Sequence, residues 1–167
     1  AITSMVQVVM AQLIAAPLAQ IFVGYDAEGI PRHAHKRGTY TNGDAFKGNV
    51  DSCDPRYSFH WIGQSDTVYV FEAPIDMLSF LSLYRQNWKQ HSYVALCGVA
   101  EHALMRLLTD APHVNKIALC LDNDKAGVQA RERIQKHLTE RGYQNVFSLF
   151  SNLKDWNEDL QALSKPP

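Results

Sequence analysis

The chain has three cysteines in 167 residues, Cys53, Cys97 and Cys120, an odd number without CxxC spacing. That argues against both a disulfide framework and a zinc ribbon, and makes a reducing cytoplasm the natural home. The formal net charge is only −1, so no overall basic field draws the protein to nucleic acid, and any such contact needs a local patch. Residues 1–25 carry no charged side chain, which raises the question of a membrane segment. Gln7, Gln12 and Gln20 interrupt that run, Pro17 breaks it, and no basic stretch precedes it; a span needs about 20 apolar residues. Val6, Val9, Met10 and Leu13 follow helical spacing, so residues 1–20 are expected to form an amphipathic helix packed on a domain rather than a membrane anchor. What the chain has in quantity is apolar side chains, 46% of the total. With this length they suffice for the core of one domain with a small extension.

One stretch organises the rest. Ile117-Ala118-Leu119-Cys120-Leu121 is an unbroken apolar run that ends in Asp122-Asn123-Asp124, and Lys125-Ala126-Gly127 leads into a charged helical pattern over 128–141. A short apolar run bounded by polar residues predicts a strand buried on both faces, as in a parallel sheet. Asp122 and Asp124 then sit at a strand's carboxyl end, where open α/β sheets place ligands. Two close carboxylates are unfavourable unless a cation lies between them or one stays protonated, and an oxygen-only set suits a hard ion such as Mg²⁺. The same acids also suit the start of the next helix, where they cap its first turn.

A second stretch repeats the arrangement. Thr67-Val68-Tyr69-Val70-Phe71 predicts a strand ending in Glu72-Ala73-Pro74-Ile75-Asp76, and Pro74 suits the first turn of a helix. Ile75, Leu78, Leu81 and Tyr84 recur at helical spacing, with Met77 and Phe80 widening that face. If the two strands are neighbours, Glu72, Asp122 and Asp124 converge into a divalent-metal site.

The Glu72-Ala73-Pro74-Ile75-Asp76-Met77-Leu78-Ser79 and Asp122-Asn123-Asp124-Lys125-Ala126-Gly127 segments resemble the two signature motifs of the Toprim fold. That fold is shared by bacterial-type primases, topoisomerases and some nucleases, and the wording here is closest to primase-like Toprim proteins of plasmids, phages and other mobile elements. The resemblance covers 66–160, with a weaker echo back to 21. It implies an α/β domain over 65–167, with a parallel sheet of about four strands flanked by helices. It also implies Mg²⁺ or Mn²⁺ held by Glu72, Asp122 and Asp124. Lys154-Asp155-Trp156-Asn157 resembles the late Lys-Asp-x-Asp motif. Asp155 matches its first acid, while Asn157 stands for the second and offers a carbonyl oxygen without the charge. Ala73 stands where many relatives have Gly.

Between 21 and 64 the sequence changes character. Ile21-Phe22-Val23-Gly24-Tyr25 reads as a strand entering a turn at Asp26-Ala27-Glu28-Gly29, and 30–38 as the second strand of a hairpin. Arg32, Lys36, Arg37, Lys47 and Arg56 interleave with aromatics, which suits a single-stranded nucleic-acid track of phosphate contacts and base stacking. Asp26, Glu28, Asp44, Asp51 and Asp54 match those cations in number, as an ordinary appendage of mixed charge would. In primase-like proteins a small β-rich subdomain with a similar Phe-Val-Gly-Tyr-Asp start precedes the Toprim part and helps hold template and nucleotides. His33 and His35 share a strand face but lack a third ligand, so they are expected to be exposed or hydrogen-bonded rather than zinc-bound.

Farther on, Ser92-Tyr93-Val94-Ala95-Leu96-Cys97-Gly98 predicts the next strand, and Ala103, Leu104, Leu107 and Leu108 the apolar face of a helix. Cys97 is expected as a small buried residue rather than a nucleophile. Lys125, beside the acids, is the cation expected near a phosphate, and Asp76, a turn beyond Glu72, the acid expected to orient it or bind a metal's water. Residues 146–150 close the sheet. The function expected is metal-dependent nucleotidyl transfer on single-stranded DNA or RNA with nucleotides, primase-like, with a helicase or relaxase as a possible partner. A Toprim nuclease and a non-catalytic nucleic-acid or partner-binding module remain the alternatives.

Overall fold

The computed structural model describes residues 19–38, 46–98 and 100–164. The helix expected over 1–20 therefore falls almost wholly outside the described residues, and Ala19 and Gln20 already belong to a strand. β1 (Ala19–Tyr25) and β2 (Pro31–Gly38) pair as the expected antiparallel hairpin. Its turn is held by Asp26, whose Oδ1 accepts from the Glu28 and Ile30 N–H groups at 3.1 and 2.8 Å, an Asx-type closure. β3 (Lys47–Asn49) pairs with β2 so that Arg37 stands opposite Lys47 and His35 opposite Asn49.

The larger sheet contains β4 (His60–Trp61), β5 (Thr67–Phe71), β6 (Ser92–Ala95), β7 (Lys116–Leu119) and β8 (Asn145–Ser148), in the spatial order β4-β6-β5-β7-β8. Four strands are parallel, as expected, and β4 joins the edge antiparallel to β6. The helices are α1 (Pro74–Leu83), α2 (His102–Asp110), α3 (Lys125–Glu140) and α4 (Trp156–Ser164).

Strand alternation sorts the core into two layers. Val68 and Val70 of β5 join Leu104, Ile134 and Leu138 of α2 and α3 on one face. Phe71 joins Met77, Phe80 and Trp156 of α1 and α4 on the other. Each such buried side chain contributes about 1.5–3 kcal/mol of transfer free energy. The small sheet is seated on the second layer through Phe22, whose ring meets Phe59 edge-on at 5.6 Å. Gly24 permits that seating, because a Cβ there would lie 1.6 Å from the Tyr57 carbonyl oxygen.

The apolar face of α2 is the expected one. In α1 it is not: Met77, Phe80, Asp76 and Ser79 are buried, whereas Tyr84 is 55% exposed. This helix carries apolar residues on nearly every side, so spacing cannot choose its face; the sheet beneath and α4 beside it do.

Candidate active site

β5 and β7 are direct neighbours, and the Cys120 N–H bonds to the Val70 carbonyl just past the β7 end. Glu72 and Asp122 therefore leave the same edge of the sheet, from adjacent strands. With Asp76 of α1 and Asp155 they line one cleft of about 420 Å³. The facing wall comes from the small sheet, with Arg37, Lys47, Asn49 and His35, and Lys154 lies at the rim beside Asp155.

Local bonding fixes each acid. Past β6, Cys97 adopts a left-handed φ of 55° and the Gly98 N–H reaches the Glu72 carbonyl at 3.2 Å. Arg131 of α3 is buried and donates from Nη2 to the carbonyls of Leu121 and Asp122 at 2.7 and 3.2 Å. Gly127 lets α3 start directly against that backbone, since a Cβ would meet the Asp122 carbonyl oxygen at 2.2 Å. Asp124 Oδ1 accepts from the Gly127 N–H at 2.9 Å, so the capping role is real for Asp124, and its Oδ2 lies 3.9 Å from Lys154 Nζ. Asn123, between the two acids, donates from Nδ2 to the carbonyls of Ser151 and Leu153. Its backbone N–H reaches the Lys154 carbonyl at 2.8 Å. The 151–155 loop is thereby tied to the loop after β7, which delivers Asp155 and Lys154 to the cleft. Asp155 in turn caps α4, accepting from the Glu158 N–H at 2.8 Å.

Burial, reinforced by Asp122 and Asp124, pushes the Glu72 carboxyl up to about 7. Burial, with Asp122 and Asp155, does the same to Asp76, also to about 7, and burial with Asp155 and Asp124 raises Asp122 to about 6. Lys47 and Lys154 offset part of this at Glu72 and Asp122. Glu72 Oε2 and Asp122 Oδ1 are buried without a hydrogen-bond partner among the described residues. Orphaned carboxylate oxygens that raise one another's pKa fit a hard cation, which would restore the charged forms. Among the described residues, no three His, Cys, Asp or Glu side chains form a ready-made metal cage. Mg²⁺, which keeps several waters and takes one or two carboxylates, does not require one.

The cations expected to form a nucleic-acid track divide. Arg37 and Lys47 face the cleft. Lys36 lies over the Phe46 ring at 5.5 Å. Arg32 and Arg56 are paired with Asp26 and Asp54, each at 2.6 Å, and do not line the cleft. Lys125 is exposed at the start of α3, outside the lining, and Lys154 takes the place beside the acids expected for it. Asn157 lies outside the lining too: its Oδ1 accepts from Ser79 at 3.4 Å, and its backbone N–H donates to Asp76 at 3.3 Å. His33 and His35 are both buried rather than exposed; His35 Nδ1 meets Asn49 Oδ1 at 2.8 Å, whereas neither His33 nitrogen has a partner of hydrogen-bond geometry among the described residues. Cys97 lines the cleft with its thiol pushed up to about 11 by burial, which leaves it a poor nucleophile.

Sequence spacing missed Asn123, Lys154, Arg131, His35 and Asn49. Asn123 and Lys154 carried a signal, since each lies inside an acidic motif. His35 stood out only as one of two alternating histidines, and Asn49 carried no signal, because only the β2–β3 register brings the two together.

The fold is that of primase catalytic domains. The chain superimposes on the primase fragment of the bacteriophage T7 primase-helicase protein with a TM-score of 0.67 at 20% identity, over 87% of this chain and 59% of that one. A DNA primase domain from Pseudomonas aeruginosa matches with a TM-score of 0.60 at 16% identity, over 96% and 54%. A Toprim-like family model matches residues 69–160, more than half of the chain, and the protein belongs to that family. A second model, a family of unknown function (DUF3991), matches residues 10–65. Uncharacterized proteins of Mycoplasma pneumoniae and Bacillus anthracis are 31% and 23% identical over 64% and 78% of this chain. The chain spans only 48% and 42% of their lengths. No helix among the described residues is long and apolar enough to cross a membrane.

Proposed function

We propose that the protein carries out primase-like, metal-dependent nucleotidyl transfer on single-stranded nucleic acid in DNA replication. The observation that carries this reading is the cleft, with Glu72, Asp76, Asp122 and Asp155 on one wall and Arg37 and Lys47 facing them. Glu72 and Asp122, with the second oxygen of Asp124 and with Asp155, would hold Mg²⁺ or Mn²⁺. When bound, such an ion neutralises phosphate charge and aligns the attacking and leaving oxygens. Arg37, Lys47 and Lys154 would draw the triphosphate and the template backbone into the cleft by charge. Asp76, held by the Asn157 N–H, would orient the Glu72 carboxylate. A primer 3′-hydroxyl attacks the α-phosphorus, the bond to pyrophosphate breaks, and the chain grows by one nucleotide. The T7 structure is the primase fragment of a primase-helicase protein, which makes a helicase the partner to seek.

Three observations favour a second reading. Asp124 is engaged as a cap, Asn157 stands where the late motif has an acid, and the described residues hold no complete cage. These suit a module that binds nucleic acid without turnover. Incubation with single-stranded template, labelled nucleotides and Mg²⁺ or Mn²⁺ separates the two. Template-directed oligomers that vanish in Glu72→Gln and Asp122→Asn establish transfer. Template binding without oligomers, unchanged by those substitutions, establishes the module, and cleavage without synthesis makes the site a nuclease.

A further inference from the structure

His35 and Asn49 are partners across the β2–β3 ladder, two positions along it from the partners Arg37 and Lys47. Alternate residues of a strand share a face, so the two pairs present their side chains to the same side, roughly 7 Å apart. That side is the cleft, which all four residues line together with Glu72 and Asp122. His35 thus stands one pleat from the two cations that would hold phosphate.

The ring is fixed in place. It is buried, and Asn49 Oδ1 accepts a hydrogen bond from its Nδ1 at 2.8 Å. An amide oxygen only accepts, so Nδ1 carries the proton and Nε2 of the neutral ring keeps its lone pair. Nε2 is therefore the nitrogen left for the cleft. Burial, with the Arg37 and Lys47 charges, holds the imidazole below the ordinary histidine pKa, against the opposing Asn49 bond. The ring is then neutral at pH 7 and able to take a proton. Among the described residues that line the cleft, no other side chain is free for that task. The acids are committed to the proposed cation or to one another, and the Arg and Lys side chains already carry their protons. The Cys97 thiol is held protonated by burial.

We infer that His35 is the general base of the transfer proposed above, on which this assignment rests, and that its Nε2 takes the proton of the primer 3′-hydroxyl. The proton passes to Nε2 as an electron pair of the 3′-oxygen forms the bond to the α-phosphorus. Pyrophosphate leaves with the electrons of the broken P–O bond, and the imidazolium then returns its proton to water in the open cleft. Asn49 is a positioning residue, because its bond to Nδ1 sets both the tautomer and the aim of the ring. Base catalysis of this kind contributes about 10²–10⁴-fold.

The test is single-turnover extension of a primed template by the parent protein and His35→Ala, with nucleotides and Mg²⁺ or Mn²⁺, alongside template binding. His35→Ala should extend about 10²–10⁴-fold more slowly at unchanged template affinity. Added imidazole should restore part of that rate, and substituted imidazoles should do so in the order of their basicity. Asn49→Ala should slow extension less than His35→Ala does, without rescue by imidazole. His35→Gln, close to histidine in size, takes the place of the alanine variant should that one not fold. A readout apart from activity is the nitrogen NMR spectrum of the histidine rings in the metal-free parent. At pH 7 His35 should carry a proton on Nδ1 and none on Nε2. Undiminished extension in His35→Ala, a slowing matched by lost template affinity, no rescue by imidazole, or a proton on Nε2 overturns the inference and leaves the proposed transfer standing. A parent protein that extends no primer sinks both, before any variant is compared.

Discussion

The Asn123 side-chain amide donates to the Ser151 carbonyl at 2.9 Å and to the Leu153 carbonyl at 2.8 Å. A residue flanked by two acids thus acts as a clasp between the loop after β7 and the loop before α4. Asp122 and Asp155 line one cleft because that clasp is closed.

Asn123→Ala removes those bonds, leaving the Leu153 carbonyl only the Ser151 hydroxyl at 3.0 Å and the Ser151 carbonyl without its Asn123 donor. The expected loss is about 1–3 kcal/mol, seen as a lower urea midpoint with an unchanged slope. Divalent-metal affinity should fall with it, although no proposed ligand has been altered.

Gly127→Ala puts a methyl group against the Asp122 carbonyl oxygen, 2.2 Å from its ideal position. Neither partner is a flexible side-chain end, so α3 must shift. Overpacking of this kind costs about 1–3 kcal/mol. Thermal melting checks it, and any activity of the cleft should fall further than stability does.

Asp76 is buried at 4% exposure and kept protonated towards neutrality by burial and its acidic neighbours. Asp76→Asn removes the charge while keeping the shape. At pH 8 without metal it should raise stability by about 1 kcal/mol or more, a Tm increase of about 2–4 °C. An unchanged or lower Tm would show that the acids do not repel one another in the folded protein.

The native pKa values of Glu72, Asp76 and Asp122 lie near 7, 7 and 6, above their ordinary values of 4.5, 3.8 and 3.8. Between about pH 4 and 7 the native state therefore binds more protons than the unfolded chain, and stability falls as pH rises. Above about 7 this contribution is flat. Denaturant melts of the metal-free protein should follow that slope, and the triple variant Glu72→Gln, Asp76→Asn, Asp122→Asn should lose it. Millimolar Mg²⁺ should restore stability at pH 8 in the parent only.

Arg37 and Lys47 face the cleft, while Arg32 and Arg56 are paired with acids outside it. Lys47→Ala and Arg37→Ala should each weaken single-strand binding and lower the salt slope by about one unit or a little less. Arg32→Ala and Arg56→Ala should leave the slope unchanged.

Much of this was legible in the chain. The apolar runs ending in Glu72 and Asp122 read correctly as buried strands, because a parallel strand covered on both faces has few alternatives to an unbroken apolar run; that they are neighbours came only from the pairing of β5 with β7. The hairpin was legible over 21–38 for a comparable reason: turn chemistry at Asp26 and Gly29 punctuates it; Ala19 and Gln20, expected in a helix, extend its first strand. The face of α1 was not, since its apolar residues surround the helix.

The sequence by itself determined which residue types stand at strand ends and which helices follow, because those depend on local periodicity and backbone preference. It could not say which cations meet the acids. Arg37 and Lys47 reach the cleft while Arg32 and Arg56 do not, although all four are basic and close in the chain. Strand register, the seating of Phe22 on Phe59 and the Asn123 clasp decided that. Each is a contact between residues distant in sequence, and a contact of that kind exists only once the chain has folded.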